Sequence, residues 1–442
     1  VLPNSARRST ILVLALPIIG GMVSQNVLNL VDTYMVGSLG DAALAAVGMG
    51  GFANWLTMAF ITGLATGVQA IAARRKGEDK LDEMALPLNG GLLLALTLGI
   101  PMSLGVIYFA PRLFPILIDD PAVYELGIPY LRVRLIGLTA IAMNFAFRGY
   151  WNGVNLSRLY MRTLVIMHIT NITLNWLLIF GHFGFPEMGT TGAGLASAIS
   201  AYVGLGVYFF LGFKHARPAG FLRGIPAHAT MKTMLRLAIP SGIQQLFFAG
   251  GMTTFMWIIG HSGTRELAVS NVIINLILVA ILPGMGFGLA AASLVGQALG
   301  RKNPKDAMRW GWEVALFGSI IVSALAVPVA VFPEFFLGIF VHDPATIAVG
   351  ALALRIAAAG MFFDVFGMVI MNAHFGAGAA SRVTVISVVM QWVIFLPAAY
   401  FIGVVWGLGL TAVWIGQFVY RTLQTVLFIA SWKQGTWANS KV

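Results

Sequence analysis

The chain has 442 residues, 58% of them hydrophobic and only 10% charged, with a mean hydropathy of +0.86. So little polar sequence cannot cover a water-soluble surface of this length, which excludes a soluble enzyme on a single tether and places many apolar runs in a bilayer. The formal charge of +11 would suggest nucleic acid in a soluble protein, but the basic residues fall mostly in short loops between apolar runs, where membrane topology explains them without a nucleic-acid partner.

Apolar stretches of about 20 residues bounded by charge, Gly or Pro predict twelve helices. They lie near 11–36, 44–72, 86–110, 123–150, 159–181, 190–213, 234–259, 267–299, 310–332, 345–372, 381–402 and 408–432. Continuous runs rich in Leu, Ala and Gly exclude the short alternating strands of a transmembrane β-barrel.

The first span follows Arg7 and Arg8 and shows no small-residue cleavage site, so it reads as a membrane helix and not a signal peptide. Pro17 interrupts it, removing a backbone hydrogen bond and permitting a bend. Farther along, Gln25, Asn29 and Asp32 share one helix face, with Tyr34 just beyond. A carboxylate at membrane depth costs about 2.5–3.5 kcal/mol on insertion scales. No basic residue lies within one turn of Asp32 to neutralise it. The stripe therefore reads as the wall of an interior cavity with Asp32 as its coupling or binding group; the alternative is a carboxylate solvated at the outer end of the helix.

In the fourth span, Asn144 and Arg148 stand one turn apart and are weaker candidates for the same cavity. Arg132 and its repeat counterpart Arg355 read as snorkelling to headgroups, while Arg134 and Arg421 fall within or at the ends of spans with no role assigned. The fifth span carries Asn171 and Asn175 on one face. Paired amides can hold a carboxylate, a cation or a ligand, and equally a neighbouring helix. His168, one turn earlier, reads as a solvated residue near a cytoplasmic helix end. In the second half, Pro240 is the counterpart of Pro17. Asp364, in the tenth span, is the other acid inside an apolar run and lies too far along the helix from Arg355 to pair with it.

Shifting the chain by 223 residues carries Ala15-Leu16-Pro17 onto Ala238-Ile239-Pro240 and Asp120-Pro121-Ala122 onto Asp343-Pro344-Ala345; with a small gap, Gly63 meets Gly288. Ordered matches of this kind indicate duplication. Six spans per half bring both halves into the membrane from the same side, with a pseudo-two-fold axis along the membrane normal. The expected architecture is all-α and polytopic: an N-terminal six-helix lobe over 1–213, a basic cytoplasmic linker over 214–236 and a C-terminal six-helix lobe over 237–442. The basic residues of both termini and the linker share one side, with Arg112 and Arg265 in loops opposite, which puts both termini in the cytoplasm. With no cysteine, no nucleotide loop following a strand and no His-Glu metal pattern, the sequence offers no catalytic residue, resident metal or cofactor. A proton or sodium gradient is the expected energy source, and a monomer the expected state.

Twelve spans in two lobes, the run from Pro17 through Val31-Asp32-Thr33 to Val36-Gly37, and the second-lobe opening Ala238-Ile239-Pro240 resemble the multidrug and toxic compound extrusion (MATE) transporters over nearly the whole chain. The Asp32 segment with Asn171-x-x-x-Asn175 is more similar to the DinF-like branch than to the NorM-like one. The resemblance implies an outward-facing V between lobes, antiport of cationic, amphipathic drugs against H+ or Na+, and residence in a bacterial inner membrane. By position it makes Asp32 the coupling acid, Pro17 the first-helix bend, and Gln25, Asn144, Asn171 and Asn175 parts of the amino-lobe cavity. There are departures: position 175 is Asn where some relatives place Asp, and no Glu of the NorM-like kind stands near Phe247-Phe248-Ala249. The second departure weakens a carboxy-lobe coupling site and leaves Asp364 as its remaining candidate.

Hard-cation sites commonly include more than one carboxylate, so a lone mid-span acid favours H+, with Na+ at Asp32, Asn171 and Asn175 as the alternative. A flippase for a lipid-linked precursor is the competing function. Its anionic headgroup would call for several basic residues in the cleft, and Arg148 is the one clear candidate.

Overall fold

The computed structural model describes residues 2–117 and 120–440. Helices occupy all twelve predicted stretches, and no strand occurs among the described residues. In the first half these are α1 (Ser5–Gly37), α2 (Asp41–Gly77, broken at Thr62), α3 (Leu86–Leu117), α4 (Pro121–Ile136 and Leu138–Gly153, bent by 47°), α5 (Ser157–Phe180) and α6 (Gly189–Leu211). The second half repeats the order with α7 (His228–Ser262), α8 (Thr264–Gly300), α9 (Pro304–Val331), α10 (Pro344–Ala359 and Met361–Gly376, bent by 45°), α11 (Ala380–Val405) and α12 (Gly409–Lys433). Eight are long and apolar enough to cross a membrane singly, and ten when each bent pair counts as one span. The remaining two, α7 and α12, run for 35 and 25 residues.

The repeated Asp-Pro-Ala motif does the same local work in both halves. Asp120 accepts the Ala122 N–H at 2.9 Å and starts α4; Asp343 accepts the Thr346 N–H at 3.2 Å and starts α10. Proline follows at the first helical position, where its missing N–H is not needed.

Residues 20–242 form one compact unit, and residues 1–19 together with 243–442 form the other. Both boundaries fall inside helices, α1 and α7. Glycine makes the corresponding packing possible twice. A side chain at Gly63 of α2 would strike the backbone of Ala238 and Gly242 in α7, and one at Gly286 of α8 would strike Ile19 of α1. The shift of 223 that carries Pro17 onto Pro240 also carries Gly63 onto Gly286 and Ile19 onto Gly242, so one contact is built in both units. The structural counterpart of Gly63 is thus Gly286, not the Gly288 chosen by matching triplets; Gly288 faces Asn372 of α10 instead.

Helix α1 continues through Pro17 without a break. Its amino end is pinned within its own unit by charge. Glu313 of α9 is fully buried and accepts from Arg7 and, at 2.7 Å, from Arg309. Arg7 also pairs with Asp306 at 2.8 Å and lies over the Trp310 ring at 3.5 Å. A carboxylate this deep needs such partners, because an unpaired buried charge is strongly destabilising.

Candidate functional site: a carboxylate and amide pocket in residues 20–242

Two polar rungs join α1 to α5. In one, Asn175 Nδ2 donates to Asp32 Oδ1 at 2.6 Å; in the other, His168 Nε2 and Gln25 Oε1 are 3.1 Å apart. Asp32 follows Gln25 by seven residues and Asn175 follows His168 by seven, so each helix advances about two turns between rungs and the two run side by side. His168 is only 7% exposed, not solvated as its place in the sequence suggested, because α5 turns it toward Gln25.

The upper rung opens into a network. Asn175 Nδ2 also donates to Asn171 Oδ1 at 3.0 Å, and Asn171 Nδ2 reaches the Ser197 and Ser200 hydroxyls of α6 at 3.3 and 3.4 Å. The amide atom of Asn171 that faces Asp32 Oδ1 stands 3.0 Å from it. With nitrogen in that place, Asn171 donates to the carboxylate, and its oxygen accepts from Ser197. With oxygen there, the two facing acceptors need a proton between them. Asn171 and Asn175 are buried, at 2% and 0% exposure, while Asp32 is half-buried. Arg134 of α4 completes the surround. Its guanidinium donates to Tyr130 Oη at 2.7 Å and to Ser197 Oγ at 3.4 Å, and its charge acts on Asp32.

The structure thus brings Asp32, Asn171 and Asn175 together. Gln25 donates to Asn29 Oδ1 at 3.3 Å below them, on the exposed side of α1. Asn144 is spent elsewhere, donating to the Ala201 carbonyl at 3.1 Å and tying α4 to α6. Arg148 lies over the Phe145 ring at 4.5 Å and is hydrogen-bonded to the buried Tyr160. Tyr34 is 83% exposed, and Pro17 belongs to the unit of residues 1–19 and 243–442. In that unit Asp364 pairs with Arg421 Nε of α12 at 2.7 Å, and Arg421 also donates to Gln424 Oε1 at 2.9 Å.

Sequence reasoning left out Arg134, Tyr130 and the two serines. One signal was available: Arg134 lies thirteen residues past Pro121, about 20 Å along its helix and well inside an apolar run. Among the described residues no cluster of three His, Cys, Asp or Glu could hold a metal ion.

The family described as MatE matches residues 17–177 and again 240–401. The chain belongs to the MatE family. The two matched stretches of this MatE chain begin 223 residues apart, the spacing of the internal repeat. Its relatives include a probable multidrug resistance protein NorM of Thermotoga maritima, 26% identical over 98% of this chain and 94% of the relative. Another of the same name, from Synechococcus sp., is 28% identical over 94% of this chain and 91% of its own length. A solved structure described as the outward-facing conformation of a multidrug resistance MATE family transporter of the MOP superfamily superposes with a TM-score of 0.89 at 24% identity, covering 98% of this chain and 96% of that one. A MOP superfamily transporter from Pyrococcus furiosus, described as having a binding pocket of reverse polarity, gives 0.87 at 24% identity, covering 96% and 95%. At that identity the likeness carries the fold: two lobes of membrane helices.

Proposed function

We propose that the protein is a multidrug antiporter of the bacterial inner membrane, with both termini cytoplasmic, that expels cationic amphipathic compounds in exchange for protons. The efflux reading is supported by family membership and by relatives named for multidrug resistance. Proton coupling rests on one observation, the contact of Asp32 with the Asn175 and Asn171 amides. Removal from water favours the neutral form of a carboxylate in general, and hydrogen bonds to the charged form oppose it. Here Asn171 can satisfy either form: its nitrogen donates to an ionised Asp32, and its oxygen accepts from a protonated one.

Turning that amide exchanges its partners on Ser197 and Asn175, so the protonation state of α1 is transmitted to α5 and α6. Pro17, lower in α1, is the natural place for the helix to bend in response. Proton and drug then compete, and by linkage drug affinity falls as pH drops through the titration of Asp32. The supports for a flippase are weak, since Arg148 is engaged by Tyr160 and Phe145.

The test is dye transport in everted vesicles under separately imposed proton and sodium gradients. A proton gradient alone should drive wild-type uptake. Asp32→Asn, which keeps the shape and a hydrogen-bonding amide, should abolish it at normal membrane expression. Near-normal transport by that variant would sink the assignment of Asp32, and transport driven by sodium alone would reverse the choice of ion.

A further inference from the structure

Arg134 is a cation inside a membrane helix that has no direct ion pair among the described residues. Its guanidinium is held by two neutral hydroxyls, Tyr130 at 2.7 Å on its own helix and Ser197 at 3.4 Å on α6, while its Nε is buried without a partner. A half-buried guanidinium that gives its hydrogen bonds to neutral oxygens has its counter-charge at longer range, and Ser197, shared by Arg134 and Asn171, ties it to the network around the Asp32 carboxylate. Among the described residues, the groups hydrogen-bonded in that carboxylate's network are neutral, Asn171 and Asn175 on α5 and Ser197 and Ser200 on α6; of the titratable groups on the same helices, His168 of α5 lies two turns away on Gln25 and the Tyr130 hydroxyl of α4 accepts from Arg134. The pocket therefore carries no net charge when Asp32 is ionised and one positive charge when it is protonated.

We infer that Arg134 is the resident counter-cation of Asp32 and makes the pocket selective for protons over sodium. The inference rests on the reading of Asp32 as the coupling carboxylate. A sodium ion needs several oxygen ligands to replace its water, and a net negative charge among them strengthens its hold. At this pocket it meets oxygens from amides and hydroxyls, but the one negative charge is already balanced by a guanidinium that cannot leave. A proton, by contrast, bonds to a carboxylate oxygen and needs no cage. Tethering through Tyr130 and Ser197, instead of a direct ion pair, leaves both Asp32 oxygens available to the amides and to that proton.

The experiment measures binding of a cationic dye to the purified full-length protein in detergent, against pH and against added NaCl or KCl. In wild type, binding should fall with decreasing pH and respond alike to the two salts. Arg134→Gln keeps an amide in place of the guanidinium and removes the charge. It should move the pH midpoint of binding upward by about one unit, a tenfold change in proton affinity, and NaCl should now displace dye where KCl does not. Arg134→Lys restores the charge and should restore both wild-type properties.

A folded Arg134→Gln protein with an unmoved midpoint and no sodium response overturns the inference while leaving proton coupling intact. Sodium-specific displacement in wild type overturns the inference and the proton reading together. Should the Gln variant fail to fold, Lys decides: a lysine variant that responds to NaCl or shifts its midpoint shows that geometry, not charge, is what Arg134 supplies.

Discussion

Asp364 and Asp32 are both acids inside apolar runs, yet their surroundings give them different work. Asp364 meets Arg421 directly at 2.7 Å, and Gln424 takes a second guanidinium N–H. Asp32 meets amides, with its cation held at longer range. A direct pair of this kind behaves as scaffold, since losing one partner strands the other charge, whereas losing both can be nearly neutral. Asp364→Asn is therefore expected to cost about 3 kcal/mol, read as a lowered melting temperature in detergent, and Arg421→Gln placed on top of it should recover most of that loss with proton-driven transport retained. If the double variant is no more stable than the single one, the pair is not what holds α10 to α12.

The same comparison shows what a sequence can disclose at this scale. Asp32, Asn171 and Asn175 announce themselves because a polar group in an apolar run is costly and periodicity puts the two asparagines on one face. Periodicity orders residues along one helix and says nothing of which helix stands opposite. The depth of Arg134 was legible, but its partners, the pairing of Arg421 with Asp364 and the burial of Glu313 beneath Arg7 depend on neighbours across the bundle and were out of reach.

Among the helices, close approach is controlled by residues without side chains. Gly63 lets α2 meet the backbone of α7, and Gly286 lets α8 seat the Ile19 side chain of α1; neither position leaves room for a Cβ. Gly51, also in α2, has open space around it. Valine at Gly63 or Gly286 should each lower stability by about 1–3 kcal/mol through overpacking. Valine at Gly51 should have little effect by comparison, and thermal unfolding of the three variants side by side would show it. Equal losses at all three sites would mean that close packing at Gly63 and Gly286 does not set the penalty. The two rungs between α1 and α5 were half legible in the same way: the seven-residue spacing is visible in each helix separately, but only their pairing shows that α1 and α5 keep the same register over two turns.

Across the whole molecule, the duplication was readable from the chain, because motifs such as Asp-Pro-Ala must start equivalent helices and so return at a fixed interval. The edges of the compact units were not readable from it, since they fall within continuous helices, at 19/20 in α1 and 242/243 in α7, and not in the basic segment between the halves. No composition change marks a point where a helix passes from one set of neighbours to another.

That crossing has the form of a domain swap, made inside one polypeptide and made twice. The first nineteen residues complete the unit of the second half, and the opening turns of α7 complete the unit of the first. A chain opened between Pro226 and Ala227 would yield two fragments that each lack a helix segment their own unit requires. Neither should be stable when expressed alone, and the two should restore drug efflux when expressed together; a stable, separately folded N-terminal fragment would contradict this. By the same geometry a half-length protein of this design could not fold as a monomer. It would have to exchange its first helix with a second copy, and fusing the two copies end to end turns an exchange that depends on concentration into one guaranteed by the chain.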